Sequence, residues 1–170
     1  MQPEVWQRGP IPGVPALLQP VAHTLLQAEE DINEAVRNLP PQLLWQQPAG
    51  VASIAFHLQH IKGVLNRLFT YTKGEMLTGE QLEYLKKEGV QEASISAELL
   101  LNELHSQIEK AIHQLKETPE NILTEKRGIG RKQIPTTVIG LLFHAAEHTM
   151  RHTGQLLVTA KILCAGNALH

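Results

Sequence analysis

Cysteine is almost absent from this chain of 170 residues, which contains one, Cys164. A single cysteine excludes an internal disulfide framework and a CxxC site, and this usage is typical of proteins from a reducing compartment. We therefore expect a cytoplasmic protein. Aromatic residues make up only 4% of the chain, and no alternating run of β-branched residues is bounded by tight turns, so strands are poorly supported.

Long apolar runs and an excess of positive charge are also missing. No apolar stretch approaches the roughly 18 residues of a transmembrane helix, and the first residues lack the cationic and apolar regions of a signal peptide. The formal net charge is −2, and lysine and arginine are scattered along the chain. These features predict that neither a membrane nor a nucleic acid is a partner.

Four long segments instead carry apolar residues in alternating steps of four and three, the period of a helix that faces a core. They lie at about residues 20–39, 51–73, 96–116 and 137–164. Thr78 and Gln81 predict a capping box that opens a short extra helix between the second and third long helices. The predicted fold class is therefore all-α, a four-helix bundle in a single domain of residues 1–170.

The first 15 residues have a different composition from the rest of the chain. They contain four prolines and two glycines, which predict an extended arm that lies against the bundle of residues 16–165 without forming an element. Trp6 is the expected anchor of this arm.

Histidines on two of the predicted helices are the candidate functional residues. In the segment LLFHAAEHTMRHTGQLL, His144, His148 and His152 are four residues apart and lie on one helical face. His57 and His60 lie on the second long helix, at about 50° and 110° from the centre of its apolar face, so both border the core and helical phase alone slightly favours His57 as the ligand. Histidine is a common ligand of zinc and nickel, so donors on two helices predict a divalent-metal site. Three nitrogen donors without a nearby fourth would leave an open coordination position, which is typical of catalytic sites.

Other polar residues near these histidines have less specific interpretations. Glu147 fits a solvated helix face or a residue that orients a ligand better than a general base, and Gln155 has the same alternatives. The glycine-containing segment RGIGRK could hold an anionic group or could be a solvated loop; its basic residues are Arg127, Arg131 and Lys132.

Two stretches, SIAFHLQHI and HAAEHTMRHTGQL, resemble the DinB-like (DinB/YfiT-like) superfamily of metal-binding four-helix bundles, and the resemblance extends over nearly the whole chain. In that family one histidine of the second helix and an HxxxH pair of the last helix bind a divalent metal. The resemblance implies that His60 is the second-helix ligand and that His148 and His152 are the pair. His57 and His144 then become alternates or residues that support the ligands.

The resemblance also implies a function. Family members with assigned activities are metal-dependent thiol S-transferases or isomerases that use bacillithiol, mycothiol or glutathione. We therefore expect a thiol S-transferase in stress or detoxification, with zinc or nickel and a low-molecular-weight thiol as cofactors, and with Arg127 and Arg131 contacting that thiol. The substrate is an unspecified small molecule. Thr153 replaces an arginine of the family pattern, so no role of that arginine is carried over.

Two alternatives to the transferase stay open. One is a metal-dependent hydrolase that uses a hydroxide activated by the metal. The other is a non-catalytic, stress-induced metal-binding module that forms a homodimer. An open metal position beside a pocket would favour catalysis, whereas coordination by protein residues alone would favour the module.

Overall fold

Residues 3–167 are described by a computed structural model, in which five α-helices account for most of the chain. The helices are α1 (Gln19–Val36), α2 (Ile54–Thr72), α3 (Gly79–Lys87), α4 (Ala97–Glu117) and α5 (Val138–Asn167). The long helices α1 and α2 each pack against both α4 and α5, which confirms the predicted four-helix bundle and the short extra helix α3. Among the described residues, no helix combines the length and the apolar character that crossing a bilayer requires.

The bundle encloses one apolar core to which all four long helices contribute. Its fully buried side chains include Leu25, Ile32, Leu58, Leu65, Leu104, Ile108, Leu141 and Leu142. Burying each such side chain stabilises the fold by about 1.5–3 kcal/mol. Apart from Phe69 and Tyr71 the buried core is aliphatic, so we expect the helices to stay together without a metal ion.

Local hydrogen bonds set where α2 and α3 begin. Ser53 precedes α2, and its hydroxyl accepts a hydrogen bond from the Phe56 backbone N–H at 3.1 Å. The predicted capping box of α3 is confirmed: Thr78 Oγ1 accepts from the Gln81 N–H at 3.2 Å, and Gln81 Oε1 accepts from the Thr78 N–H at 2.9 Å. These bonds satisfy backbone donors that the first turn leaves unpaired.

A β-hairpin replaces the loop that we expected before the last helix. Strands β1 (Lys126–Ile129) and β2 (Ile134–Thr137) pair in antiparallel register, with Ile129 opposite Ile134. The turn between them includes Gly130 and Gln133, both with positive φ angles. The prediction of a loop was wrong because each strand has only four residues and lacks the alternation that identifies longer strands.

The proline-rich arm lies along α1, but Trp6 does not anchor it. Trp6 is 61% exposed, whereas Val5 and Val14 are buried. The Val5 N–H donates to Gln27 Oε1 of α1 at 2.8 Å. Val5 is also the first residue of a 3-10 turn, Val5–Arg8. Small aliphatic side chains therefore attach the arm, and the large aromatic ring next to them stays in solvent.

Candidate metal centre

Four histidines meet where α2 and α5 pack against each other in opposite directions. His60 Nε2 of α2 lies 3.0 Å from His148 Nε2 of α5. Three residues earlier in α2, His57 Nδ1 lies 3.0 Å from His152 Nδ1. The antiparallel packing of the two helices therefore converts the sequence spacing into two facing pairs of rings.

Three of these rings form a set of donors that could hold a metal ion. One nitrogen from each of His60, His148 and His152 lies within 4.8 Å of the other two. These are the three ligands that the family resemblance implied. The structure thus brings them together, and His57 lies beside them as the fourth ring.

Glu88, at the end of α3, is part of this cluster and was not among the predicted site residues. Its Oε2 atom lies 2.7 Å from His60 Nδ1, and its Oε1 atom accepts a hydrogen bond from Arg67 Nη1 at 2.6 Å. The Glu88 side chain is only 4% exposed. An ionised carboxylate can only accept hydrogen bonds, so Nδ1 of His60 carries the hydrogen and donates it to Glu88.

This hydrogen bond determines which nitrogen of His60 is available to a ligand. In the neutral form of His60, a hydrogen on Nδ1 leaves a bare lone pair on Nε2, the atom that faces His148. Nδ1 of His148 is buried and has no hydrogen-bond partner among residues 3–167. A bare lone pair directed into the cluster and a buried nitrogen without a partner both fit a cation that binds imidazole nitrogens.

Burial favours the neutral form of three imidazoles of this cluster. The pKa values of His57, His148 and His152 are each lowered from 6.5 to about 4, mainly because burial penalises the charged ring and secondly because of the nearby His60. Metal binding requires the neutral form of histidine. At neutral pH these rings therefore need not lose a proton before they bind a cation.

His57 supports the cluster from the core side. His57 is 2% exposed and contacts His152 through the facing Nδ1 atoms, so His152 can offer its other ring nitrogen, Nε2, to an ion. Phe56 covers His60 with a stacked ring at 5.2 Å between centroids. Helical phase slightly favoured His57 as the ligand; His57 does lie deeper than His60, and this depth puts it behind His152.

The remaining predicted residues of the histidine segment lie on the outer side of α5. His144 is exposed, and its Nδ1 atom lies 3.3 Å from Glu147 Oε2. Glu147 also pairs with Arg151, while Gln155 is exposed. His144, Glu147 and His148 are a second set of donors within 4.8 Å of one another, although the positive charge of Arg151 opposes a cation at Glu147.

Arg127 and Arg131, the predicted thiol contacts, do not lie beside the histidines. The Arg127 Nε atom donates to the Thr72 carbonyl at the end of α2 at 2.7 Å. Thr72 is twelve residues beyond His60, which corresponds to about 18 Å along the helix axis. The expected proximity is wrong because α2 runs from the histidines toward the hairpin that carries both arginines. Whether these two residues bind an anion elsewhere stays a prediction.

Comparison with known proteins agrees with this fold and site. A family model described as the DinB superfamily matches residues 24–156, which include all the histidines of the cluster. The crystal structure of a conserved protein from Enterococcus faecalis is similar, with a TM-score of 0.69 and 16% identity over 88% of this chain and 98% of that chain. At this identity the likeness shows the fold alone. A comparison with curated proteins gave no match.

Proposed function

The chain belongs to the DinB superfamily, and on this basis we propose that it binds one divalent metal ion through His60, His148 and His152. The observation that carries the proposal is the convergence of three ring nitrogens within 4.8 Å of one another. The lowered pKa values of His148 and His152 and the unpaired Nδ1 atom of His148 support it.

Three protein donors leave a coordination position for a small molecule. Zinc or nickel bound by imidazoles would act as a Lewis acid and lower the pKa of a coordinated water or thiol. The protein's own part is to hold the donors in place. Glu88 directs Nε2 of His60 into the cluster, His57 holds His152 through the facing Nδ1 atoms, and Phe56 covers one face of His60.

The ligand assignment is tested by metal analysis of protein purified without a nickel column. We expect one equivalent of metal in the unmodified protein and loss of most of it in His60→Ala, His148→Ala and His152→Ala. His113→Ala is the matched control, because the His113 side chain is 72% exposed and pairs with Glu117. Retention of full metal content by His60→Ala, together with its loss in His57→Ala, would contradict the assignment.

For the reaction, we propose the transfer of a low-molecular-weight thiol to an electrophilic small molecule. This finer proposal rests on the family resemblance and on the coordination position that three donors leave. In such a transfer the sulfur forms a bond to carbon, the leaving group departs with its electron pair, and the thiol proton passes to solvent. The protein contributes by keeping His148 and His152 neutral and by fixing the donors in space.

Titration with bacillithiol, mycothiol and glutathione tests this reaction. The expected result is thiol binding by the metal-loaded protein and none by the metal-free protein, with thioether formation when an electrophile is added. Cobalt substitution would report sulfur coordination by a sulfur-to-metal absorption band. Hydrolysis becomes the better proposal if none of the three thiols binds in a metal-dependent way, and a non-catalytic metal-binding role follows if hydrolysis is absent too.

A further inference from the structure

We infer that Glu88 is a positioning residue of the metal centre, so that the short helix α3 contributes to a site otherwise built from α2 and α5. This inference rests on the proposed metal binding. It concerns how strongly His60 binds the metal ion and how metal binding affects the attachment of α3 to α2. The histidine ligands themselves are unchanged by it.

The two oxygens of Glu88 are both used inside the protein. Oε2 contacts His60 and Oε1 accepts from Arg67, whose side chain is 11% exposed. A buried carboxylate is strongly disfavoured unless charged or hydrogen-bonded partners compensate it. Arg67 is such a partner, and it also fixes the plane of the carboxylate so that Oε2 points at His60.

Gly63 of α2 provides the space that this carboxylate occupies. A methyl group at Gly63 would overlap Glu88 Oε1, and it would lie 2.7 Å from Arg67 Nη1 and 3.0 Å from Tyr84 Cε1. Glycine in the middle of a helix is otherwise unfavourable by roughly 0.5–1 kcal/mol relative to alanine. The glycine therefore allows a close approach of the Glu88–Arg67 pair to the α2 backbone.

Apolar burial does not hold α3 in place. None of the nine residues of α3, all within the described chain, is buried. The N-terminal end of α3 is attached by Gln81, which donates to Asn66 Oδ1 of α2 at 2.6 Å. At the other end the Gly89 N–H donates to Gln59 Oε1 at 2.7 Å, next to the Glu88 contact with His60.

A metal ion on Nε2 of His60 and the docking of α3 therefore affect the same imidazole ring. Binding a cation at Nε2 makes the Nδ1–H of that ring a stronger donor, so a carboxylate acceptor raises metal affinity, typically 10- to 100-fold. By thermodynamic linkage, metal must favour the docked position of Glu88 by the same factor. Metal binding should thus hold the end of α3 more tightly against α2.

Glu88→Gln and Glu103→Gln form a matched pair that tests this role. The glutamine at position 88 keeps an oxygen acceptor for His60 but loses the negative charge. Glu103 also pairs with α2, through Lys62 at 2.8 Å, but does not contact the histidines. We expect Glu88→Gln to weaken Zn²⁺ and Co²⁺ binding at least tenfold and to shift the visible spectrum of bound Co²⁺. Glu103→Gln should bind both ions within twofold of the unmodified protein.

Amide hydrogen exchange on the unmodified protein is a second measurement that needs no variant. Zinc should slow exchange in residues 79–89, particularly at the Gly89 amide, and should leave the exposed β-hairpin of residues 126–137 unchanged. Exchange in residues 79–89 that ignores zinc overturns the inference, and so does a folded Glu88→Gln protein with unchanged Co²⁺ affinity and spectrum. Failure of the unmodified protein to bind any metal refutes the proposed function instead.

Discussion

Replacing two helical glycines by alanine should change the stability of this protein in opposite directions. Alanine in a helix interior is favoured over glycine by about 0.5–1 kcal/mol, because glycine loses more backbone freedom on folding. At Gly154 of α5, no atom of the described residues lies within 4 Å of an added Cβ, apart from the helix itself and the adjoining residues. At Gly63 of α2 an added Cβ overlaps the Glu88 carboxylate and crowds Arg67.

The expected magnitudes follow from these two environments. Gly154→Ala should raise the free energy of unfolding by about 0.5–1 kcal/mol, the helix preference alone. At Gly63 the same gain is opposed by an overpacking cost of about 1–3 kcal/mol, which leaves a net loss of up to about 2.5 kcal/mol. For a chain of this size, 1 kcal/mol corresponds to about 2–4 °C in Tm. Gly154→Ala should therefore melt roughly 1–4 °C higher, and Gly63→Ala up to roughly 10 °C lower.

Thermal unfolding of both metal-free variants, followed by circular dichroism, measures these shifts, and a zinc titration then compares their affinities. Gly63→Ala should bind zinc more weakly, since Glu88 must move away from His60. Gly154→Ala should bind zinc normally, although it lies two residues from His152. Equal stabilisation by both substitutions, with unchanged zinc affinity, would refute the reasoning, because it would show that Glu88 moves aside without cost.

Three further predictions concern the whole protein. Removing metal with a chelator should leave the far-UV helical signal intact, since the core is mostly aliphatic, and should lower Tm only by the amount expected for the loss of a bound ligand. Loss of helix at room temperature would instead show that the metal is structural. The metal-free protein should lose stability as pH falls from about 6.5 to about 4, because the unfolded chain takes up protons that folded His57, His148 and His152 do not. The free energy of unfolding, measured as a function of pH, tests this; no decline in this window would contradict neutral buried rings. Arg127→Ala should lower Tm and leave zinc affinity unchanged, because the Arg127 side chain bonds to Thr72 and Glu125. Weakened zinc binding would contradict the separation of the hairpin from the histidines.

The long helices were predictable because their signals are local and repeated. The third long helix was expected at residues 96–116 and spans Ala97–Glu117, with the Ser96 hydroxyl accepting from the Leu99 N–H at 3.1 Å. Periodic apolar residues and a capping side chain act within a few positions of one another. The hairpin depends instead on pairing between two short strands and on a hydrogen bond from Arg127 to α2. Neither contact produces a periodic pattern in the sequence.

Within the site, the helical phase of His57 and His60 agrees with their relative burial but does not identify which of them belongs to the set of candidate metal ligands. His57 does lie deeper than His60, as its position near the centre of the apolar face implied. The deeper ring contacts His152 alone on the α5 side, whereas His60 lies at the border of the core and reaches both His148 and Glu88. At this border position His60 can offer Nε2 to an ion while Glu88 holds Nδ1.

Glu88 could not be predicted from spacing, because 28 residues separate it from His60 and a turn and a helix lie between them. One local feature still distinguishes it. The C-terminal end of a helix carries partial negative charge, so an acidic side chain there is unfavourable, yet Glu88 follows the last residue of α3 and directly precedes Gly89, whose φ is +85°. Burial adds a further cost, which the contacts with Arg67 and His60 offset. An acidic residue at the C-terminal end of a helix is therefore a reason to search for a buried partner, and for Glu88 that partner is His60 of α2.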